Sequence, residues 1–221
     1  MPSSHSPTAL ARLKSSLLTR GAGRTAILIA EQYIFRRTRA FVFYRVMESD
    51  RPQNPAFTYK MVRPEEVGLL SVFSGYYKTA VFSGILEEGD FLFIALDGTT
   101  PVSFIWFSRK PRRRPPYSFF RIQNSQVWCV DFITLPTHSN EFVTESLLHY
   151  SDKFLMNLGF NEMLAVASEE DLPRLRFLTR SHPRSVQYFV FTRIFWFILF
   201  RRELNARQRC TLLIRTLLHP V

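Results

Sequence analysis

Residues 127–167 read VWCVDFITLPTHSNEFVTESLLHYSDKFLMNLGFNEMLAVA, and this stretch decides the fold. Its opening, residues 127–135, is dense in Val, Trp, Phe and Ile and is stopped by Pro136, the signature of a strand with a proline terminator. A short polar segment follows. Val143, Leu147, Leu148, Ser151, Phe154, Leu155 and Leu158 then recur at helical intervals, a stripe that needs a core to face, and Gly159 stands where a helix C-cap belongs. Residues 163–167 are short, apolar and bounded by polar neighbours, which predicts a second buried strand.

Working outward, residues 90–96 and 102–108 are two apolar runs joined through Asp97-Gly98, a hairpin pattern. A shorter strand fits residues 57–62, and Pro64-Glu65-Glu66 opens a helix with acids near the positive end of its dipole. Residues 48–55 are a linker with two prolines. In residues 26–46 the first half extends an N-terminal helix, whose apolar face is Leu10, Leu13, Leu17 and Leu18, and residues 40–46 form a strand. Downstream, Glu169-Glu170-Asp171 starts a helix that runs to about Arg180. Residues 188–200 form a last strand or strand pair, and the tail from Arg201 reads as a basic helix. This divides the chain into a basic helical arm with a first strand (1–56), a main domain (57–200) and a basic tail (201–221). Strands alternating with helices predict an α/β (α+β) class with helices covering a mixed sheet.

That order resembles the GNAT acetyltransferase superfamily, most specifically over residues 127–185 and more loosely over 57–200. Thr134-Leu135-Pro136 and Leu147-Leu148 stand at the family's strand end and at its paired-leucine helix. Pro173-Arg174-Leu175-Arg176-Phe177-Leu178 resembles the helix before the family's terminal Gly-Phe, and the hairpin of residues 91–107 resembles its second and third strands. The resemblance implies a mostly antiparallel central sheet flanked by helices. It also implies transfer of an acyl group to an amine, from acetyl-CoA, another acyl-CoA or an acyl carrier protein. Backbone partners for the donor fall on Phe132, Ile133 and Thr134, and the phosphate loop on Ser139, Asn140, Glu141, Phe142, Val143 and Thr144. Helix N-terminal amides suit a pyrophosphate there, because they point outward unpaired and carry partial positive charge.

The chain departs from the family within that loop, where no glycine is present: the Arg/Gln and three small residues are replaced by Ser139, Asn140, Phe142 and Thr144. The terminal Gly-Phe falls on His182-Pro183, and the tyrosine often used as general acid is nearest Phe177, which has no proton to donate. The same residues therefore also fit a catalytically inactive GNAT relative that binds or scaffolds without using CoA in the usual way.

Three residues are candidates for acid–base work. Asp131, inside an apolar strand, is either a base or an acid facing the open side of the sheet. His138 is either a base or an exposed turn residue. Glu141 is either a base or an acid favoured by the helix dipole. No His, Cys, Asp or Glu cluster has metal-ligand spacing, so no metal is expected. The net charge of +11 favours anionic partners, such as a CoA phosphate, an acidic carrier protein or an acidic membrane surface. Nucleic acid is the weakest of these, because the aromatic residues sit at strand spacing and read as core. The run Arg109 to Arg114 is the most concentrated basic feature. Two cysteines cannot build a disulfide framework and fit a reducing, cytoplasmic compartment; residues 186–200 are too short for a span and carry Arg193.

Overall fold

The computed structural model describes residues 35–110, 122–138, 141–194 and 197–203. The N-terminal helical arm, Arg112 to Arg114 of the basic run and the tail beyond Glu203 lie outside them. Among the described residues there are eight strands: β1 (Phe35–Val46), β2 (Thr58–Met61), β3 (Phe91–Asp97), β4 (Thr100–Ser108), β5 (Gln126–Thr134), β6 (Glu162–Ser168), β7 (Ser185–Ile194) and β8 (Phe197–Glu203). Between them run a 3-10 segment at Pro64–Phe73, α1 (Thr79–Glu87), α2 (Glu141–Asn157) and α3 (Leu172–Arg180). The chain divides into two compact units, the larger built on Ala40–Tyr188. In the smaller unit, residues 35–39 of β1 and the strands β7 and β8 lie in the order β1-β7-β8.

In the larger unit the strand order is β2-β3-β4-β5-β6-β1. β2/β3, β3/β4, β4/β5 and β1/β6 are antiparallel, and β5/β6 is parallel, so the sheet is mixed and mostly antiparallel as the resemblance implies. The parallel pair is forced by connectivity: α2 carries the chain from the end of β5 back to the start of β6, which a tight hairpin cannot do. β3 and β4 are buried along nearly their whole length, because both faces are covered. Phe104 packs edge-on against Phe73 and Phe82, from the 3-10 segment and α1. Phe93 points the other way, to Tyr150 and Phe154 of α2. Alternate residues of the pleat thus feed two separate aromatic layers.

Several expectations change. The strand β1 starts at Phe35, so residues 35–39 are extended, not helical. Its Ala40–Val46 stretch pairs with β6 within the larger unit. Residues 201–203 belong to β8, not to a helix. α1 is absent from the sequence reading because its N-cap position is Lys78, which makes no side-chain cap, and its interior holds Ser83 and Gly84. Leu158 is exposed, since α2 ends at Asn157 and Gly159 turns the chain with φ +91°. Of the rest of the stripe, Val143, Leu147, Leu148, Ser151 and Leu155 are buried and Phe154 is half-buried. Among the described residues no helix is long and apolar enough to cross a membrane.

One ion pair is wholly internal. Arg45 of β1 donates from Nη1 to Asp152 Oδ2 of α2 at 2.6 Å and from Nε to the Ser181 carbonyl at 2.9 Å, with both side chains buried. It thereby ties β1, α2 and the end of α3 together. Burial raises the Asp152 carboxyl to about 6 despite the guanidinium, since desolvation outweighs the attraction. Folding therefore binds a proton at Asp152 between about pH 4 and 6, and the stability that this group contributes falls as pH rises through that window. His149, one turn earlier, is also buried, and burial pushes its imidazole down, so it acts in the opposite sense on acidification. Arg45→Met is expected to cost about 3–5 kcal/mol at neutral pH by stranding the carboxylate. In urea unfolding from pH 4 to 7, Asp152→Asn is expected to lose the component that falls with pH and to keep the His149 component.

Candidate functional site

The site begins with a residue that has no partner. β4 and β5 are in register from Ser103↔Thr134 to Trp106↔Asp131, and the next pair is Phe107↔Cys129, so Val130 is a β-bulge. A bulge bends its strand and adds twist. On its other side β5 pairs with β6 only from Gln126↔Glu162 to Cys129↔Ala165, although β6 continues to Ser168. From Val130 to Thr134 the two parallel strands have parted, leaving a wedge in the sheet. Phe132, Ile133 and Thr134 line the β5 wall of that wedge, where the sequence put the donor's backbone partners.

A chain of hydroxyls fixes the exit from β5. Ser103 Oγ lies 2.7 Å from Thr134 Oγ1, which lies 2.7 Å from Thr144 Oγ1 in the first turn of α2. Ser103 Oγ also donates to the Ile133 carbonyl at 3.1 Å. The Leu135 N–H donates to the Val102 carbonyl at 2.8 Å, and Pro136–His138 makes one 3-10 turn before α2.

The wedge is filled from α3. Asp171 accepts the Arg174 N–H at 3.3 Å, capping the helix and fixing where Arg174 starts. The Arg174 guanidinium donates from Nη1 to Asp131 Oδ1 at 2.9 Å. From Nη2 it donates to the Val130 carbonyl at 2.9 Å and the Cys129 carbonyl at 3.4 Å. It also lies 5.2 Å from the centre of the Phe132 ring, on which Phe177 packs at 4.5 Å between centroids. Asp131 is fully engaged: Oδ1 additionally accepts the Phe132 N–H at 2.9 Å, and Oδ2 accepts the Tyr77 hydroxyl. Tyr77, just before α1, is held by edge contacts with Phe82, Phe104 and Trp106. Cys129 is buried and its thiol is pushed up to about 12 by desolvation, so it is a packing residue and no nucleophile.

Of the three acid–base candidates, only Asp131 stands at the wedge. His138 is turned to the β3–β4 hairpin, with its ring nitrogens 3.1 Å from Asp97 and 2.9 Å from Thr137. Glu141 opens α2, but its side chain, like Ser139 and Asn140, lies outside the described residues. Phe142 is 69% exposed, whereas Val143 and Thr144 are buried, so the last two have only backbone to offer a ligand. At the start of the basic run, Arg109 packs its guanidinium over Phe91 at 4.8 Å and Phe160 at 5.6 Å. Among the described residues, no three metal-binding side chains converge. The sequence reading singled out neither Tyr77 nor Arg174. The first precedes an unrecognised helix, and the second sits in a helix whose three arginines look like a solvated face.

No family model and no curated protein matches the sequence. Solved structures do resemble it. A Drosophila melanogaster protein matches at TM-score 0.50 and 10% identity, over 79% of this chain and 58% of that one. A conserved protein of unknown function from Staphylococcus epidermidis matches at TM-score 0.50 and 9% identity, over 78% and 68%. A GCN5-related N-acetyltransferase from Sphaerobacter thermophilus matches at TM-score 0.48 and 14% identity, over 78% and 56%. This chain therefore spans little more than half the length of the first and third. Identities this low speak to fold alone. The mixed, mostly antiparallel sheet, with the hairpin, the parting of β5 from β6 and the connecting α2 in that order, is the arrangement that the sequence resemblance implies.

His182 is the one described non-glycine residue with positive φ, +56°, and it stands where the resemblance sets a glycine. A left-handed conformation costs a residue with Cβ roughly 1 kcal/mol. His182→Gly is therefore expected to raise stability by up to about 1 kcal/mol, less the entropy that glycine loses on folding. Chemical denaturation of the two proteins measures the difference.

Proposed function

We infer that the chain is a GNAT-type N-acyltransferase, moving an acyl group from acetyl-CoA, another acyl-CoA or an acyl carrier protein to an amine. The parting of β5 from β6 after the Val130 bulge carries this reading. A sheet that could continue its ladder to Ser168 instead opens, and unpaired backbone inside a fold is costly unless something occupies it. An acyl-CoA would supply the activated thioester. The Phe132–Thr134 backbone would lie along its arm, and the amides opening α2, from Glu141 to Thr144, would face its phosphates. Asp131 is the carboxylate nearest the opening, and it takes a proton from the attacking amine only after releasing Arg174 or Tyr77. The charge of +11 suits an acidic carrier protein as donor or an acidic membrane surface as workplace.

A second reading, a non-catalytic binding or scaffold protein on the same fold, draws on two observations. The Arg174 guanidinium already satisfies the Cys129 and Val130 carbonyls, and the loop of residues 139–144 has no glycine. Calorimetric titration of acetyl-CoA and a long-chain acyl-CoA at two salt concentrations separates the readings. Micromolar binding of either is expected. If neither binds, and no thioester is consumed from an acyl carrier protein, the acyltransferase reading gives way to the scaffold.

A further inference from the structure

We propose that Arg174 is the residue that decides whether the β5–β6 wedge accepts an amide-bearing arm such as pantetheine. The wedge is plugged from within. The proposal rests on the acyl-donor reading of the wedge and adds how access to it is set.

The contacts of Arg174 are those a ligand arm would need. An arm entering beside β5 must hydrogen-bond to strand backbone, and the first two carbonyls at the parting, Cys129 and Val130, already accept from Arg174 Nη2. The guanidinium lies over the Phe132 ring and is anchored by Asp131, which Tyr77 and the Phe132 amide fix in turn. A planar fork that pairs with a carboxylate while lying on an aromatic face matches this setting, and a lysine does not reproduce it. The plug is nonetheless removable. The Arg174 side chain is 15% exposed, so it is not sealed in the interior, and Nε is buried without a hydrogen-bond partner. The helix need not move, because the Asp171 cap and the buried Leu175 and Leu178 hold α3 while the long side chain swings.

The geometry thus sets an arm's amides and carbonyls in competition with one guanidinium. Losing that guanidinium frees two acceptors and leaves Asp131 its two remaining donors. The arrangement also fits the altered phosphate loop: a loop that grips phosphate weakly leaves the donor little with which to displace the plug.

The test compares acetyl-CoA affinity, by calorimetry, for the full-length protein, Arg174→Ala and Arg174→Met. Near-ultraviolet circular dichroism and thermal unfolding confirm that each is folded, and Arg174→Met combined with Asp131→Asn replaces any variant that is not. Removing charge-assisted hydrogen bonds from the competing state is expected to tighten binding about tenfold or more in both variants. Affinities equal to or weaker than the parent's would overturn the plug while leaving the acyltransferase reading in place. If none of the folded proteins binds acetyl-CoA, the plug falls, since removing it opens nothing to such an arm, and the acyltransferase reading is left to the long-chain acyl-CoA and carrier-protein donors.

Discussion

Val130 has no opposite number in β4, and from that unmatched residue β5 turns away from the strand it had been following. Much of the larger unit is arranged around the departure. The hydroxyls of Ser103, Thr134 and Thr144 steer the strand's end onto α2, and α2 carries the chain back to begin β6. α3 then brings Arg174 and Phe177 into the space that the departure creates. Without the bulge the parallel pair could zip on toward Ser168, and Asp131 would be one more strand residue between two ladders.

Two arginine–aspartate pairs show how differently the same chemistry can be used. Arg45 and Asp152 are sealed in the interior, where desolvation exceeds attraction and the carboxyl rises. Their value is positional, since the Arg45 fork reaches both α2 and the end of α3. Arg174 and Asp131 sit at the wedge with one edge toward solvent. There the pair can open and close at modest cost, as partly hydrated charges lose less when parted.

From residue 90 to residue 180 the sequence carried the architecture well, because the physics there is periodic, whereas α1 at Thr79–Glu87 went unseen. Two apolar runs joined through Asp97-Gly98 announced the hairpin, the leucine pairs announced α2, and Pro136 and Gly159 marked its surroundings. Phe132 to Thr134 were named through the family resemblance alone, and they lie on the part of β5 that has left β6. The sequence did not carry the plug. Arg174 and Asp131 are far apart in the chain, and no local pattern tells an arginine that folds inward from one that faces water. Tyr77 was hidden similarly, before a nine-residue helix with no capping side chain. The start of β1 was misread because four arginines dilute its alternation, and the extended form of Phe35–Arg39 reflects sheet pairing more than local preference.

The parallel seam between β5 and β6 is short, only the four pairs from Gln126↔Glu162 to Cys129↔Ala165. Closing it requires ordering the intervening crossover of residues 130–161, and few ladder bonds offset the entropy of that loop. At its lower end the seam is pinned, with the Ser125 carbonyl accepting the Asn161 and Glu162 amides and Gln126 bonded to Glu162. At its upper end Arg174 and Phe177 of α3 reach β5 instead, at the Cys129 and Val130 carbonyls and at the Phe132 ring. The sheet is thus built like a zipper fastened at one end, with its local free energy of opening graded toward the wedge. Once Arg174 has swung aside, any further opening would start as fraying of Cys129 from Ala165, without disturbing the antiparallel strands on either side.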